Sequence, residues 1–264
     1  SGTVYTPSHL VNLLIDECLP LSDNNEYLNH NIRLADVSCG SGIFITTAFK
    51  RLVQRLRIKK WVKAGRPKEL PQPTLKEVKS VLSNNIFGID KNDTATKLAK
   101  FSLQLALCQL VPKNELWTWN EDRVFKDLQN INIFSADFFD FLIEEKSFHN
   151  SLDLIIGNPP FQSLKEDKKN KEYSTITKKL KEELNFEFSI KIPDNQLALM
   201  FLEVSSLLLK PKGDLCFIQK STSLLYNSGS KEFRNSLFNK FYVHQILDFT
   251  LLKNDLYKSK GKEL

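Results

Sequence analysis

An α/β fold built on a doubly wound, mostly parallel sheet is predicted by three observations. Short apolar runs rich in isoleucine, leucine and phenylalanine alternate with helical patterns along the chain. The runs are nearly continuous in apolar residues, as in strands covered on both faces. Several of them end in, or lead directly into, an acid or an asparagine, the place where open α/β sheets bind ligands.

The strand runs fall at residues 32–36, 86–90, 131–135, 152–157, 214–219 and 243–249. Helical patterns occupy 42–61, 93–110, 138–145, 195–209 and 230–241. A further helix precedes the first strand. Thr6 suits its N-cap and Pro7 its first turn, while Leu10, Leu13, Leu14 and Cys18 repeat at helical spacing before Pro20 stops it. Residues 62–74 carry three prolines and read as a loop. Residues 162–192 hold Lys165, Lys168, Lys169, Lys171, Lys178, Lys179 and Lys181, and are expected to form a mobile insertion with one amphipathic helix near 175–184. A sixth strand at 243–249 with only turn-forming residues after it predicts a fragment whose sheet lacks its last strand, leaving an unpaired strand edge.

Composition narrows the function. Among 264 residues, 37 Lys+Arg against 31 Asp+Glu give a net charge of +6, which favours a polyanionic partner. Hydrophobic residues at 41% and charged ones at 26% describe a soluble globular chain. Cys18, Cys39, Cys108 and Cys216 form no CxxC pair, which argues against a disulfide framework or zinc site and for a reducing, cytoplasmic compartment. The longest apolar stretch, 197–209, is interrupted by Glu203 and too short to span a bilayer. The first ten residues lack the basic and apolar regions of a signal peptide. His9, His30, His149 and His244 are scattered, so no metal site is expected.

Four motifs carry chemistry. In Asp36-Val37-Ser38-Cys39-Gly40-Ser41-Gly42, a strand ends in an acid and a glycine-rich turn opens a helix. Gly40 and Gly42 allow close backbone approach, and the helix start offers N–H groups to an anion; the plainer reading is a tight turn with Cys39 as a packing residue. Asp90, closing Gly88-Ile89-Asp90, reads either as an acceptor for two ribose hydroxyls or as the cap of the next helix. Its distance from Gly42 exceeds that of a dinucleotide fingerprint. Asp137 and Phe138 read either as an amine acceptor beside a stacking ring or as a cap and a core phenylalanine. In Gly157-Asn158-Pro159-Pro160-Phe161, an apolar strand delivers an asparagine followed by two prolines. The Asn158 side-chain oxygen and Pro159 carbonyl can present two rigid acceptors to one exocyclic NH2, with Phe161 flat against its ring; the alternative is a rigid turn.

Together these motifs resemble the gamma-type N6-adenine DNA methyltransferases of restriction–modification systems. The resemblance rests on Tyr5-Thr6-Pro7, the 36–44 motif, Gly88-Ile89-Asp90, Asp137-Phe138 and Asn158-Pro159-Pro160-Phe161, in the family's order. Val37 stands where that family usually has proline. The resemblance implies a Rossmann-like S-adenosylmethionine-dependent methyltransferase fold over residues 1–264, with 1–22 as a cofactor-binding helix. It implies Tyr5, Thr6, Asp36, Ser38, Cys39, Gly40 and Gly42 at the methionine part of the cofactor, Asp90 at the ribose, and Asp137 and Phe138 at the adenine. Asn158, Pro159, Pro160 and Phe161 would form the pocket for a flipped target adenine in double-stranded DNA. A target-recognition domain is expected outside this chain, with a specificity or restriction subunit, or fused domains, as partners.

Two other readings share these residues. One is a protein-glutamine or RNA methyltransferase, since a carboxamide is also a planar NH2. The other is a catalytically idle DNA-binding subunit of the same fold.

Overall fold

The computed structural model describes residues 6–24, 28–117, 128 and 130–252. The chain divides into two compact units: a larger one of Val11–Gly157 with Leu207–Phe217, and a smaller one of Ser1–Leu10, Asn158–Ser206 and Ile218–Leu264. The larger unit holds a five-stranded sheet. Its strands are β1 (Leu34–Asp36), β2 (Ile86–Asp90), β3 (Ile133–Ser135), β4 (Leu152–Gly157) and β5 (Leu209–Phe217), in the order β3-β2-β1-β4-β5. Every neighbouring pair is parallel. The doubly wound parallel sheet read from the sequence is therefore present.

Helix α1 (Ser8–Cys18) precedes the sheet. Helix α2 (Ile43–Lys63) joins β1 to β2 together with α3 (Leu75–Asn85), and α4 (Asp93–Leu110) runs between β2 and β3, followed by α5 (Lys113–Trp117). Helix α6 (Phe138–Glu144) then leads into β4. Crossovers between parallel strands are right-handed. Because the sheet is traversed in one direction from β1 to β3 and in the other from β3 to β4, the connecting helices cover opposite faces. Strand β1 accordingly has all three of its residues buried.

Helix α2 anchors the chain that leads into β1. Phe44, Ile45, Phe49, Leu52 and Val53 are buried along it, and Arg55, only 4% exposed, lies among them. Its guanidinium donates to the Pro20 carbonyl through Nε and Nη2 and to the Asn29 carbonyl through Nη1. Three hydrogen bonds to two carbonyls compensate a charge that burial would otherwise make costly. Cys18 and Cys216 are distant in sequence, yet their thiols influence each other, which pushes the Cys18 thiol up and the Cys216 thiol down.

Helix α3 has no counterpart in the predicted elements. Its start is a capping box: Thr74 Oγ1 accepts from the Glu77 amide at 3.3 Å, and Glu77 Oε2 accepts from the Thr74 amide at 2.8 Å. Lys60 on α2 reaches the same carboxylate at 2.8 Å. The helix passes into β2 with no intervening loop. At that junction the buried Asn132 side chain donates to the carbonyls of Leu82, Ser83 and Ile86.

The smaller unit contains α7 (Glu172–Leu184), α8 (Leu197–Val204), α9 (Ser221–Leu224) and α10 (Lys231–Lys240). Its centre is a buried carboxylate. Glu203 accepts from the Ser189 amide at 3.0 Å, the Ser189 hydroxyl at 2.8 Å and Lys240 Nζ at 3.2 Å. The lysine-rich segment is a structured excursion, with α7 longer than the helix expected and Leu180 fully buried. Bridges at Ser163–Gln196 and Glu166–Lys171, and a bond from the Ile192 amide to Tyr173, tie it down.

One expected strand is absent. Residues 243–249 form no strand and pair with none among the described residues. The apolar character there belongs to exposed residues: Ile246 is 50% exposed and Val243 40%. A β-prone run becomes a strand only when a neighbour supplies its ladder and a packed layer covers it, and these residues have neither. The long helix expected at 195–209 also ends early, at Val204, followed by a 3-10 turn and then β5, which starts at Leu209 instead of residue 214.

Thr74→Ala removes the acceptor of the capping box, and is expected to lower stability by about 1 kcal/mol. Equilibrium denaturation in urea measures it.

Candidate active site

The carboxyl ends of β1, β2, β3 and β4 lie along one edge of the sheet, because the strands are parallel and in register. Asp36 is level with Gly88, and Asp90 with Ser135. The strand order reverses between β1 and β4, which is where such sheets bind ligands.

At the end of β1, Asp36 is 1% exposed and its Oδ1 accepts from the Ser38 amide at 2.9 Å. Gly157 closes the neighbouring strand β4. A Cβ on Gly157 would sit 2.5 Å from Asp36 Oδ1, so the carboxylate occupies the space a side chain would take. Burial, reinforced by the negative charge of Asp90, pushes the Asp36 carboxyl up to about 7, while the bond from Ser38 opposes the shift. Val37, at the position where proline is usual, is a core residue at 1% exposure.

The turn that follows is fastened to β2. The Gly40 amide donates to Asp90 Oδ2 at 2.8 Å, and the Cys39 amide donates to the Ile89 carbonyl at 2.9 Å. Gly40 and Gly42 both lie in the left-handed region, at φ +52° and +87°. They differ in surroundings. A Cβ on Gly40 would meet nothing within 4 Å, so the turn opens to free space there, whereas one on Gly42 would collide with Ala99 of α4 at 2.9 Å. Cys39 is buried, 4% exposed, and burial with the charges of Asp36 and Asp90 raises its thiol.

Asp90 does not cap the next helix. Asn92 does, accepting from the Ala95 amide at 3.2 Å. The Asp90 carboxylate instead holds the Gly40 amide on Oδ2 and the Asn92 amide on Oδ1, one bond per oxygen. A carboxylate has about four acceptor positions, so both oxygens retain capacity. Asp137, by contrast, is the cap of α6: its Oδ1 accepts from the Phe139 amide at 2.9 Å, and the residue is otherwise exposed. Phe138 is a core ring, 3% exposed and tilted against Phe139 at 6.0 Å. At this pair the structure meets the cap-and-core alternative, and the buried Phe138 presents no open face for stacking.

In the smaller unit, Asn158 follows the end of β4. Its Nδ2 donates to Thr6 Oγ1 at 3.0 Å, and Thr6 is buried at 6% exposure. Thr6 thus lies just ahead of α1, which starts at Ser8; Tyr5 lies outside the described residues. Pro159 is buried, Pro160 half-buried, and Phe161 exposed at 37%. The structure therefore assembles two clusters from the expected residues: Asp36, Ser38, Cys39, Gly40, Gly42 and Asp90 in the larger unit, and Thr6 with the residues from Asn158 to Phe161 in the smaller. Gly157, Asn92 and Ala99 were not singled out by sequence. A glycine closing an otherwise apolar strand was the available signal for the first.

The Eco57I restriction-modification methylase family matches residues 84–254, well over half of the chain. This chain belongs to that family. It is 27% identical to the type II restriction enzyme and methyltransferase RM.Eco57I of Escherichia coli, covering 97% of this chain and 26% of that protein. It is 28% identical to the type II methyltransferase M.BstVI of Geobacillus stearothermophilus, covering 94% of this chain and 38% of that one. The chain thus spans well under half the length of these relatives. Among solved structures, the modification subunit of a putative type I restriction enzyme from Vibrio vulnificus YJ016 superposes with a TM-score of 0.54 at 17% identity, covering 89% of this chain and 38% of that one. The DrdV–DNA complex gives 0.53 at 18% identity, covering 88% and 21%. These likenesses confirm the Rossmann-like methyltransferase fold. Among the described residues, no helix is long and apolar enough to cross a membrane.

Two outcomes are expected. Gly157→Ala forces the new methyl into the Asp36 carboxylate, and should destabilise the protein by roughly 1–3 kcal/mol in denaturant titration. The Asp36 carboxyl, ordinarily at 3.8 and here at about 7, takes up a proton on folding between those values. Its contribution to stability is therefore fully present below about pH 4, declines as the pH rises toward 7 and is flat above. Asp36→Asn should remove this decline. Parallel unfolding curves for both proteins across that range test it, and identical pH slopes would show that Asp36 is charged throughout.

Proposed function

We propose that this chain is the catalytic domain of a DNA methyltransferase in a restriction–modification system, acting with S-adenosylmethionine on N6 of a flipped adenine in double-stranded DNA. The observation that carries this reading is the delivery of Asn158-Pro159-Pro160-Phe161 by a buried parallel strand, with the Asn158 carboxamide held by Thr6. Family membership supports DNA modification as the setting, since the relatives named above are restriction and modification enzymes.

The larger unit fits the cofactor. The open space over Gly40 admits a ligand against the backbone of the turn, and Asp90 has acceptor capacity for two ribose hydroxyls. In this reading Asp137 uses its second oxygen for the adenine amine of the cofactor, and Phe138 supports the wall behind it. Bound there, the cofactor supplies a methyl group on a positively charged sulfur. The chain's own residues do the rest. Asn158 Oδ1 and the Pro159 carbonyl accept the two N–H bonds of the target amine, drawing its nitrogen toward tetrahedral geometry and freeing a lone pair otherwise delocalised into the ring. Pro159 and Pro160 have no N–H to compete for these acceptors and hold the backbone stiff. Phe161, exposed as a base-stacking ring must be, offsets part of the few kcal/mol needed to extrude the adenine. Positioning and fixed dipoles supply the rate.

The lysine-rich segment is a candidate phosphate contact, narrowed by the structure. Lys171, Lys178 and Lys181 pair with Glu166, Glu182 and Glu187. Lys165, Lys168 and Lys169 are exposed and are the better phosphate ligands.

Tritium transfer from labelled cofactor to unmethylated genomic DNA, RNA and a protein extract separates the substrate classes. Label recovered in N6-methyladenine supports the reading, and label confined to RNA or protein overturns it. Asn158→Ala should abolish methyl transfer while leaving cofactor affinity near that of the unmodified protein. Asp90→Ala should act at the binding step, weakening cofactor affinity by roughly 1–3 kcal/mol; calorimetry measures both.

A further inference from the structure

We propose that Thr6 is a positioning residue for the transfer step, turning the Asn158 carboxamide so that Oδ1, and not Nδ2, is offered to the target amine. This rests on the reading of Asn158 as an acceptor for that amine. The family resemblance places Thr6 only at the cofactor; the structure gives it a second partner. Its hydroxyl oxygen accepts from Asn158 Nδ2 at 3.0 Å, across 152 residues of sequence and within one compact unit.

The need for such a bond follows from the shape of a carboxamide. Its oxygen and NH2 are nearly the same size, and half a turn about the last side-chain torsion exchanges an acceptor for a donor. That torsion is broad and roughly two-fold in asparagine, so packing alone selects neither orientation. A hydroxyl can donate or accept, and here the Thr6 hydroxyl serves as the acceptor and takes Nδ2, which selects one. With Nδ2 committed to Thr6, Oδ1 occupies the other end of the group. The alternative orientation would set an NH2 against the NH2 of the substrate, donor facing donor. Two surroundings keep the bond effective. Thr6 is buried, so water competes poorly for Oγ1. The next residue, Pro159, has no N–H that could draw Oδ1 back onto the main chain.

The test uses Thr6→Val, which keeps the shape and removes the oxygen, beside Thr6→Ser, which keeps the oxygen, in the full-length protein. Thr6→Ala is read in parallel, since it removes the oxygen without adding bulk. Turnover is measured with labelled cofactor on unmethylated genomic DNA. At saturating cofactor, Val and Ala should lower kcat by about tenfold or more with the cofactor KM changed less than about twofold, and Ser should restore most of the rate. In 15N spectra, the Asn158 side-chain NH2, assigned by its loss in Asn158→Asp, should shift in Val and Ala but hardly in Ser. A rise in cofactor KM with kcat recovered at saturation would make Thr6 a cofactor contact only and overturn the proposal. Unaltered turnover together with an unmoved NH2 signal would overturn it too. Absence of labelled adenine with the unmodified protein would overturn the underlying reading, a result distinct from either.

Discussion

Burying a carboxylate at the point where the sheet changes direction is the constraint on which the larger unit depends. Asp36 ends the first strand inside the core, and its carboxylate takes the space that a side chain on Gly157 would fill. That fit sets the spacing of β1 and β4 at their carboxyl ends. The Ser38 amide bonds the same carboxylate, so the path of the glycine turn is fixed from within the core. Asp90 then fixes it from the neighbouring strand, through Gly40. Two acids on adjacent strands thus shape one turn, and their mutual repulsion raises the Asp36 carboxyl further. The site tolerates this because a protonated Asp36 still accepts from Ser38.

Much of this was legible in the order of residues. Strands β2 and β4 announce themselves as short apolar runs with a polar terminus, and both begin and end where the pattern says. Helix α4 is bounded by Asn92 before it and loses its periodicity at Leu110. Helix α3 is written less openly: its only local signal is the capping-box spacing of Thr74 and Glu77, set directly after a stretch of prolines that reads as loop. The run at 243–249 misled for the opposite reason: propensity was present and the partner was not.

The site was legible as residue types and far less so as contacts. Asp90 was open between ribose acceptor and cap; Asn92 takes the cap, leaving Asp90 to hold the turn. Asp137 was open between amine acceptor and cap, and its Oδ1 caps α6. Nothing local separates the two cases. The difference lies in whether a glycine amide from another loop arrives opposite the carboxylate, which is a property of the assembled sheet. The bond between Thr6 and Asn158 is beyond sequence reading for the same reason.

The junction of α3 and β2 bears on how this family can vary in length. The helix becomes the strand with no residue between them, and Asn132 clasps the joint through three carbonyls. One residue added to or lost from α3 would slip β2 by one position, and a strand displaced by one turns every side chain to the opposite face. Ile89 would stand where Asp90 now stands, or Asp90 where Ile89 does, core for acid or acid for core. The proline-bearing stretch just before Thr74 has no such coupling, and a surface loop lengthens at small entropic expense. Insertions and deletions among relatives should therefore collect before the capping box and stop at it, so that a gap-free block running from α3 into the acid of β2 becomes a mark of descent as well as of mechanism.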